Sequence, residues 1–228
     1  MPDLAKNDAI SLAGGSSLHP KPQIAKVAPA SCIERPGLTL PAEEEQILKS
    51  ELSQAKVFLE YGSGGSTIEA LEAGVKTVFS VECDLAWARK IEAYVHDELK
   101  ASNNFKIVAV DIGRTEKWAK PVDRSGWRSY IDYPKSVWAR DDFIHPDLVL
   151  IDGRFRVACF AFCALFCQQP MRILFDDYNT RDNYHDCETV AKPSLLAGRM
   201  AVFDFNPEDL VTKQKEIIAL LSYASDPR

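Results

Sequence analysis

Glu60, Glu82, Asp111, Asp152 and the pair Asp176 and Asp177 each stand at the end of an apolar run: VFLE, VFSVE, IVAVD, LVLID and ILFDD. Acids scattered over a soluble surface have no reason to keep that position. Gathered in one place, such groups can accept the hydroxyls of a sugar, attract a cationic centre, hold a hard metal ion, or take a proton from a reacting group. Directly after Glu60 the chain reads YGSGGST, in which Gly62, Ser63, Gly64 and Gly65 lead into Ser66 and Thr67. A glycine turn between an apolar run and a helical pattern sets backbone N–H groups at a helix N-terminus, a seat for a nucleotide or another anion-bearing ligand.

The elements that must carry these residues alternate. PAEEEQILKSELSQA opens on Pro41 and has three glutamates in its first turn, both helix-start signals. Strand KVFLEYG follows, then helix STIEALEAG, strand KTVFSVEC, and helix DLAWARKIEAYVHDEL with Asp84 as its N-cap. Strand FKIVAVDIG precedes a long irregular stretch, 113–146. Strand PDLVLIDG, helix RVACFAFCALFC, strand MRILFDD, helix DNYHDCETVAK, strand GRMAVFDF and a last helix over about 207–222 complete the pattern. Apolar strands alternating with amphipathic helices predict an α/β fold: a three-layer α/β/α Rossmann-like sheet, mostly parallel and covered on both faces. In such a sheet ligands bind outside the carboxyl ends of the strands, where the acids and the glycine turn lie.

Residues 1–38, with GGSS and HPKPQ, read as a flexible N-terminal arm, and 39–228 as a single Rossmann-like domain. The arm leaves a lid role, or a dimer exchange and with it a homodimer, open. The stretch 113–146 carries Trp118, Trp127, Tyr130, Tyr133 and Trp138 and is expected to cover the pocket as a lid. A hydrophobic fraction of 46% and a charged fraction of 26% are those of an ordinary globular protein. A net charge of -6 argues against nucleic acid as a partner, since sequence-independent binding needs a basic footprint. No apolar run reaches the roughly 20 residues of a membrane span, and the first residues lack a secretory pattern. A cytoplasmic location and no membrane partner are the expectations. Cys159, Cys163 and Cys167 recur every four residues among Ala, Phe and Leu, a buried helical stripe of free thiols.

The glycines read GxGG followed by Ser66 and Thr67, not the GxGxxG of a dinucleotide turn, and no GK[ST] of a P-loop is present. Glu82 has the spacing of a ribose-binding acid, which any ribose diol would use. Glu60 is read as a carboxylate at the mouth of the turn, one that repels a pyrophosphate and suits a sulfonium or ammonium group. On these residues FLEYGSGGST resembles motif I of the class I S-adenosylmethionine-dependent methyltransferases, and the resemblance runs over roughly residues 42–205. It implies that the backbone at Gly62, Ser63 and Gly64 passes the methionine part of S-adenosylmethionine and that Glu82, followed by Cys83, takes the ribose hydroxyls. It also implies that Asp111 and Ile112 contact the adenine, and that Asp152 closes the cofactor site. Two departures stand out: the loop over 113–145 is longer than usual, and the far edge of the sheet looks shortened, as if its last strand were missing.

The [ND]PP[YF] motif of base N-methyltransferases is absent; the position reads IDGRFR. Asp152, with Asp176 and Asp177, resembles instead the metal site of metal-dependent O-methyltransferases, and the Asp-Asp-Tyr form resembles the macrocin-type sugar O-methyltransferases. That resemblance implies a Mg²⁺ ion on Asp152, Asp176 and Asp177, with Asp152 and Asp177 catalytic. His185, in NYHDC, is a further candidate base; His145 falls at the opposite end of the sheet. Arg154 and Arg156 either clamp an acidic substrate or neutralise the ring of acids. The reading is a methyltransferase acting on a small-molecule oxygen or nitrogen by in-line transfer. A non-catalytic S-adenosylmethionine-binding module and an NAD(P)-dependent oxidoreductase are the alternatives.

Overall fold

The computed structural model describes residues 33–227; the rest of the arm, 1–32, lies outside the described residues. In chain order the elements are α1 (Ala42–Leu52), β1 (Val57–Tyr61), α2 (Gly65–Glu72), β2 (Thr77–Glu82), α3 (Leu85–Tyr94) and β3 (Phe105–Ala109). A small ribbon of β4 (Thr115–Glu116) and β5 (Lys120–Pro121) follows, then α4 (Asp132–Lys135), β6 (Leu148–Ile151), α5 (Arg156–Leu165) and β7 (Met171–Phe175). The chain closes with β8 (Leu195–Ala197), β9 (Met200–Phe205), α6 (Pro207–Leu210) and α7 (Gln214–Leu220). Seven strands form one sheet in the order β3-β2-β1-β6-β7-β9-β8, parallel from β3 through β7, with β9 antiparallel to both neighbours.

Period-two alternation divides the core between the sheet's two faces. Leu59, Tyr61, Phe79, Val81, Val149 and Ile151 pack with α5 and α7. Phe58, Val78, Leu148 and Leu150 pack with α1, α2 and α3 through Leu48, Ile68 and Ile91. Cys159 and Cys163 are wholly buried free thiols in α5, raised far above the usual thiol range by burial, as small apolar core residues are. No helix among the described residues is long and apolar enough to cross a membrane.

Two expectations are corrected here. The sheet's far edge is short rather than a strand short. The missing strand precedes GRMAVFDF instead of following it: the three-residue β8 turns through Gly198 and Arg199 into β9. DNYHDCET runs as 3-10 turns rather than an α-helix. The stretch 113–146 is exposed over much of its length, Trp118 and Trp127 included, while Tyr130, Tyr133 and Val137 are buried. Trp138 Nε1 donates to the Tyr61 hydroxyl at 2.8 Å, and that hydroxyl donates to the Pro134 carbonyl at 2.8 Å. The polar tips of these aromatics are satisfied inside the protein, which fixes the second half of the stretch in place.

Candidate functional site

The parallel register extends one residue past each strand end. Gly62 N–H donates to the Val81 carbonyl at 2.9 Å, Asp152 N–H to Tyr61 at 3.0 Å, and Asp176 N–H to Ile151 at 3.1 Å. Gly62, Asp152 and Asp176 therefore stand in a row across the carboxyl edge, and a cavity of about 670 Å³ opens above them. Its wall includes Gly62 to Ser66, Glu82, Asp152, Asp176 and Asp177. Gly37 to Thr39, Trp87 of α3, Lys117 to Lys120 and four arginines complete it. Residues 33–38, read with the arm in the sequence, thus pack on the domain; Arg35, for example, pairs with Glu69 and Glu72 at 2.8 and 2.7 Å.

The glycines serve different neighbours. A Cβ at Gly65 would fall 2.3 Å from the Leu38 nitrogen, so Gly65 is needed by the chain's own residues 37 and 38. Gly62 has φ +101° and would meet the Gly153 backbone at 2.9 Å, so the turns after β1 and β6 touch. Gly64 alone of the three has nothing among the described residues within 4 Å of a Cβ. Trp87 Nε1 donates to the Ser63 carbonyl at 2.7 Å and steadies the turn from α3, whose N-cap is Asp84.

Glu82 lies in the wall, with its carboxylate accepting from the N–H groups of Cys83 at 2.6 Å, Asp84 at 2.8 Å and Ser63 at 3.1 Å. Burial raises its pKa against the pull of those three donors. It joins the glycine turn to the end of β2, and its remaining lone pairs suit a diol. Glu60 is elsewhere. Sharing the face of Phe58 and pairing with Ser80, it is fully buried under α2. It accepts from Ser66 Oγ at 2.5 Å, Ser80 Oγ at 2.6 Å and Thr67 Oγ1. Burial pushes it up to about 7, and the hydroxyls only partly offset this. The expectation of a carboxylate at the mouth of the turn is thereby corrected; Glu60 and Thr67 pin the first turn of α2 from behind.

Asp111, Ile112, Cys83 and His185 also stay out of the cavity wall. Asp111 is exposed and accepts from Gly113 N–H at 2.9 Å, while Ile112 turns into the core. Cys83 points its buried thiol at the Ala119 carbonyl, 3.8 Å away. His185 is exposed, its ring against Tyr178 at 4.9 Å between centroids. His145 accepts from Gln168 N–H at 3.1 Å, away from the cavity.

Asp152, Asp176 and Asp177 do come together, but with guanidinium groups where a cation would sit. Arg156, 3% exposed, donates to the carbonyls of Gly153, Asp152 and Asp176 at 3.0, 3.1 and 2.6 Å and to the Asp152 carboxylate at 3.0 Å. Arg199 forks onto Asp176 at 2.9 and 3.0 Å, and Arg181 holds Asp177 at 2.9 Å. Burial raises Asp152 to about 7, against Arg156 and with repulsion from Asp176. Burial also opposes ionising Asp176, yet Arg199, the hydrogen bond with Asp152 and Arg156 hold it below the usual range. The proton of this pair therefore belongs to Asp152. The Mg²⁺ expectation is corrected on this donor set: each acid already has a fixed cationic partner, and no group of three His, Cys, Asp or Glu among the described residues is placed to hold a metal. Arg181 and Arg199 went unassigned in the sequence; a glycine between two apolar runs, LLAGRMAVF, was the signal for the turn that delivers Arg199.

An α/β sheet in the order β3-β2-β1-β6-β7-β9-β8, with a glycine turn after β1 and an acid after β2, defines the class I methyltransferase fold. A methyltransferase-like protein of Silicibacter pomeroyi is 42% identical, over 80% of this chain and 97% of its own, with a TM-score of 0.71. The chain belongs to the class I, Rossmann-like methyltransferase family. A precorrin-6y C5,15-methyltransferase of Geobacter metallireducens is similar at 15% identity, over 75% of this chain and 94% of its own, with a TM-score of 0.47. A ribosomal protein L11 methylase of Lactobacillus delbrueckii is similar at 14%, over 75% and 82%, with a TM-score of 0.45. At that distance neither carries an argument about this chain. No family model and no curated protein matches the sequence.

Proposed function

We propose that this protein binds S-adenosylmethionine along Gly62 to Ser66 and Glu82 and transfers its methyl group to an oxygen or nitrogen of a small molecule. The observation that carries the reading is Glu82: a buried carboxylate in the cavity wall, tied by Ser63 N–H to a glycine turn whose Gly64 is open to the cavity. The cofactor supplies an electrophilic methyl group. The chain's part is to align the acceptor with it and to remove the acceptor's proton. Asp152 is the group suited to that second task. It lies in the cavity wall with 26% of its side chain exposed, and its pKa of about 7 makes it a base at neutral pH. Asp177, paired with Arg181 and near Arg156 at 3.4 Å, shapes the field around Asp152.

Release of S-adenosylhomocysteine in the presence of hydroxyl and amine acceptors tests the reading. The rate should climb with pH through about 7, because the form of Asp152 that accepts a proton is populated only above its pKa. Asp152→Asn should lower the rate by about 10²- to 10⁴-fold and abolish that rise. A rate indifferent to Asp152→Asn would remove Asp152 from the chemistry.

A further inference from the structure

Six basic and five acidic side chains line the cavity, in a chain whose acids outnumber its bases overall. Arg156, Arg181 and Arg199 are consumed by Asp152, Asp176 and Asp177. Arg154 is not used in these pairs. It lies in the cavity wall, and its buried Nε has no hydrogen-bond partner among the described residues. The two arginines of GRFR part company because Phe155, between them, is buried at φ +54° against the rings of Tyr130 and Tyr133. Arg156 goes into the core and Arg154 stays with the cavity.

A second buried polar atom is unpaired among the described residues: the hydroxyl of Tyr184, a residue only 1% exposed. Its ring is fixed by Phe175 at 5.0 Å and by the Arg181 guanidinium at 5.5 Å. Tyr184 itself does not line the cavity, whereas Arg181, against its ring, does. A guanidinium N–H left without an acceptor is costly to keep unless one arrives with a ligand, and of these two groups only Arg154 lines the cavity. An oxyanion is the acceptor that also meets the surplus positive charge, which Lys117 and Lys120 extend along the wall.

We propose that Arg154 forms a subsite for an oxyanion, a carboxylate or phosphate carried by the methyl acceptor. This names the substrate class for the methyltransferase reading and rests on it. The ribose and the glycine turn account for Glu82 and Gly64, whereas nothing assigned to the cofactor uses Arg154.

Calorimetric titration of malonate and of inorganic phosphate, with neutral malonamide as control, tests the subsite on the full chain saturated with S-adenosylhomocysteine. Malonate or phosphate should bind and malonamide should not. Arg154→Gln should weaken the anion about tenfold and Arg154→Lys less. The affinity for S-adenosylhomocysteine should not change in either variant. Absence of anion binding, or binding indifferent to Arg154→Gln, overturns the proposal. So does a loss of S-adenosylhomocysteine affinity in Arg154→Gln that its decarboxylated analogue does not show, since Arg154 would then hold the cofactor's own carboxylate. If S-adenosylhomocysteine fails to bind while malonate still binds through Arg154, the subsite stands and the methyltransferase reading falls.

Discussion

Arg199, in the turn between β8 and β9, donates to both carboxylate oxygens of Asp176 at the end of β7, Nε at 2.9 Å and Nη2 at 3.0 Å. The Asp176 side chain is 1% exposed, so the far edge of the sheet supplies the charge that lets a buried acid stand in the cavity wall. Removing one member of such a pair strands the other. Arg199→Gln should therefore cost about 3 kcal/mol in urea unfolding, with Arg156 as the remaining partner of Asp176. Adding Asp176→Asn should restore part of that loss. A single variant as stable as the wild type would show that Arg199 only decorates the site.

Glu60 gives a pH dependence of definite sign. It is held at about 7 in the fold, above the 4.5 of a free glutamate, so the folded state binds the extra proton between those values. Its contribution is full at low pH and is lost as pH rises toward 7, on the order of 3 kcal/mol. Asp152, also raised to about 7, adds to the same slope. Urea unfolding at pH 5.5 and pH 8 should show a smaller fall in Glu60→Gln than in the wild type. An equal fall in both would mean that Glu60 is ionised in the fold.

Gly62 and Gly64 should separate folding from binding. Alanine at Gly62 must adopt φ +101° and press on Gly153 at 2.9 Å, which should cost about 1–3 kcal/mol and lower the melting temperature. Alanine at Gly64 meets nothing among the described residues within 4 Å, and its φ of 179° is ordinary extended backbone. Gly64→Ala should melt with the wild type and bind S-adenosylhomocysteine more weakly. A destabilised Gly64→Ala would contradict the placement of its open side toward the cavity.

The fold was legible because each strand has its own apolar run and each run ends in an acid or a turn, so α/β alternation and the position of the cavity followed from pattern alone. Which acids face the cavity was less so. The period of two that puts Phe58 against α2 also puts Glu60 there, and reading β1 as a strand with two faces would have buried Glu60 rather than placing it at the mouth. The partners of Asp176 and Asp177 were out of reach for a different reason. Arg199 follows Asp176 by 23 positions and arrives through an antiparallel turn, a contact that depends on strand order. A metal site and a guanidinium-filled one begin from the same three acids; only the long-range partners distinguish them.

The central claim is that the glycine turn and Glu82 hold an adenosyl cofactor, and calorimetric titration with S-adenosylhomocysteine and with NADH tests it most directly. The account predicts micromolar binding of S-adenosylhomocysteine, no comparable binding of NADH, and about a 10- to 100-fold loss in Glu82→Gln, the cost of one charge-assisted hydrogen-bond partner. Preference for NADH, or S-adenosylhomocysteine binding untouched by Glu82→Gln, would contradict it.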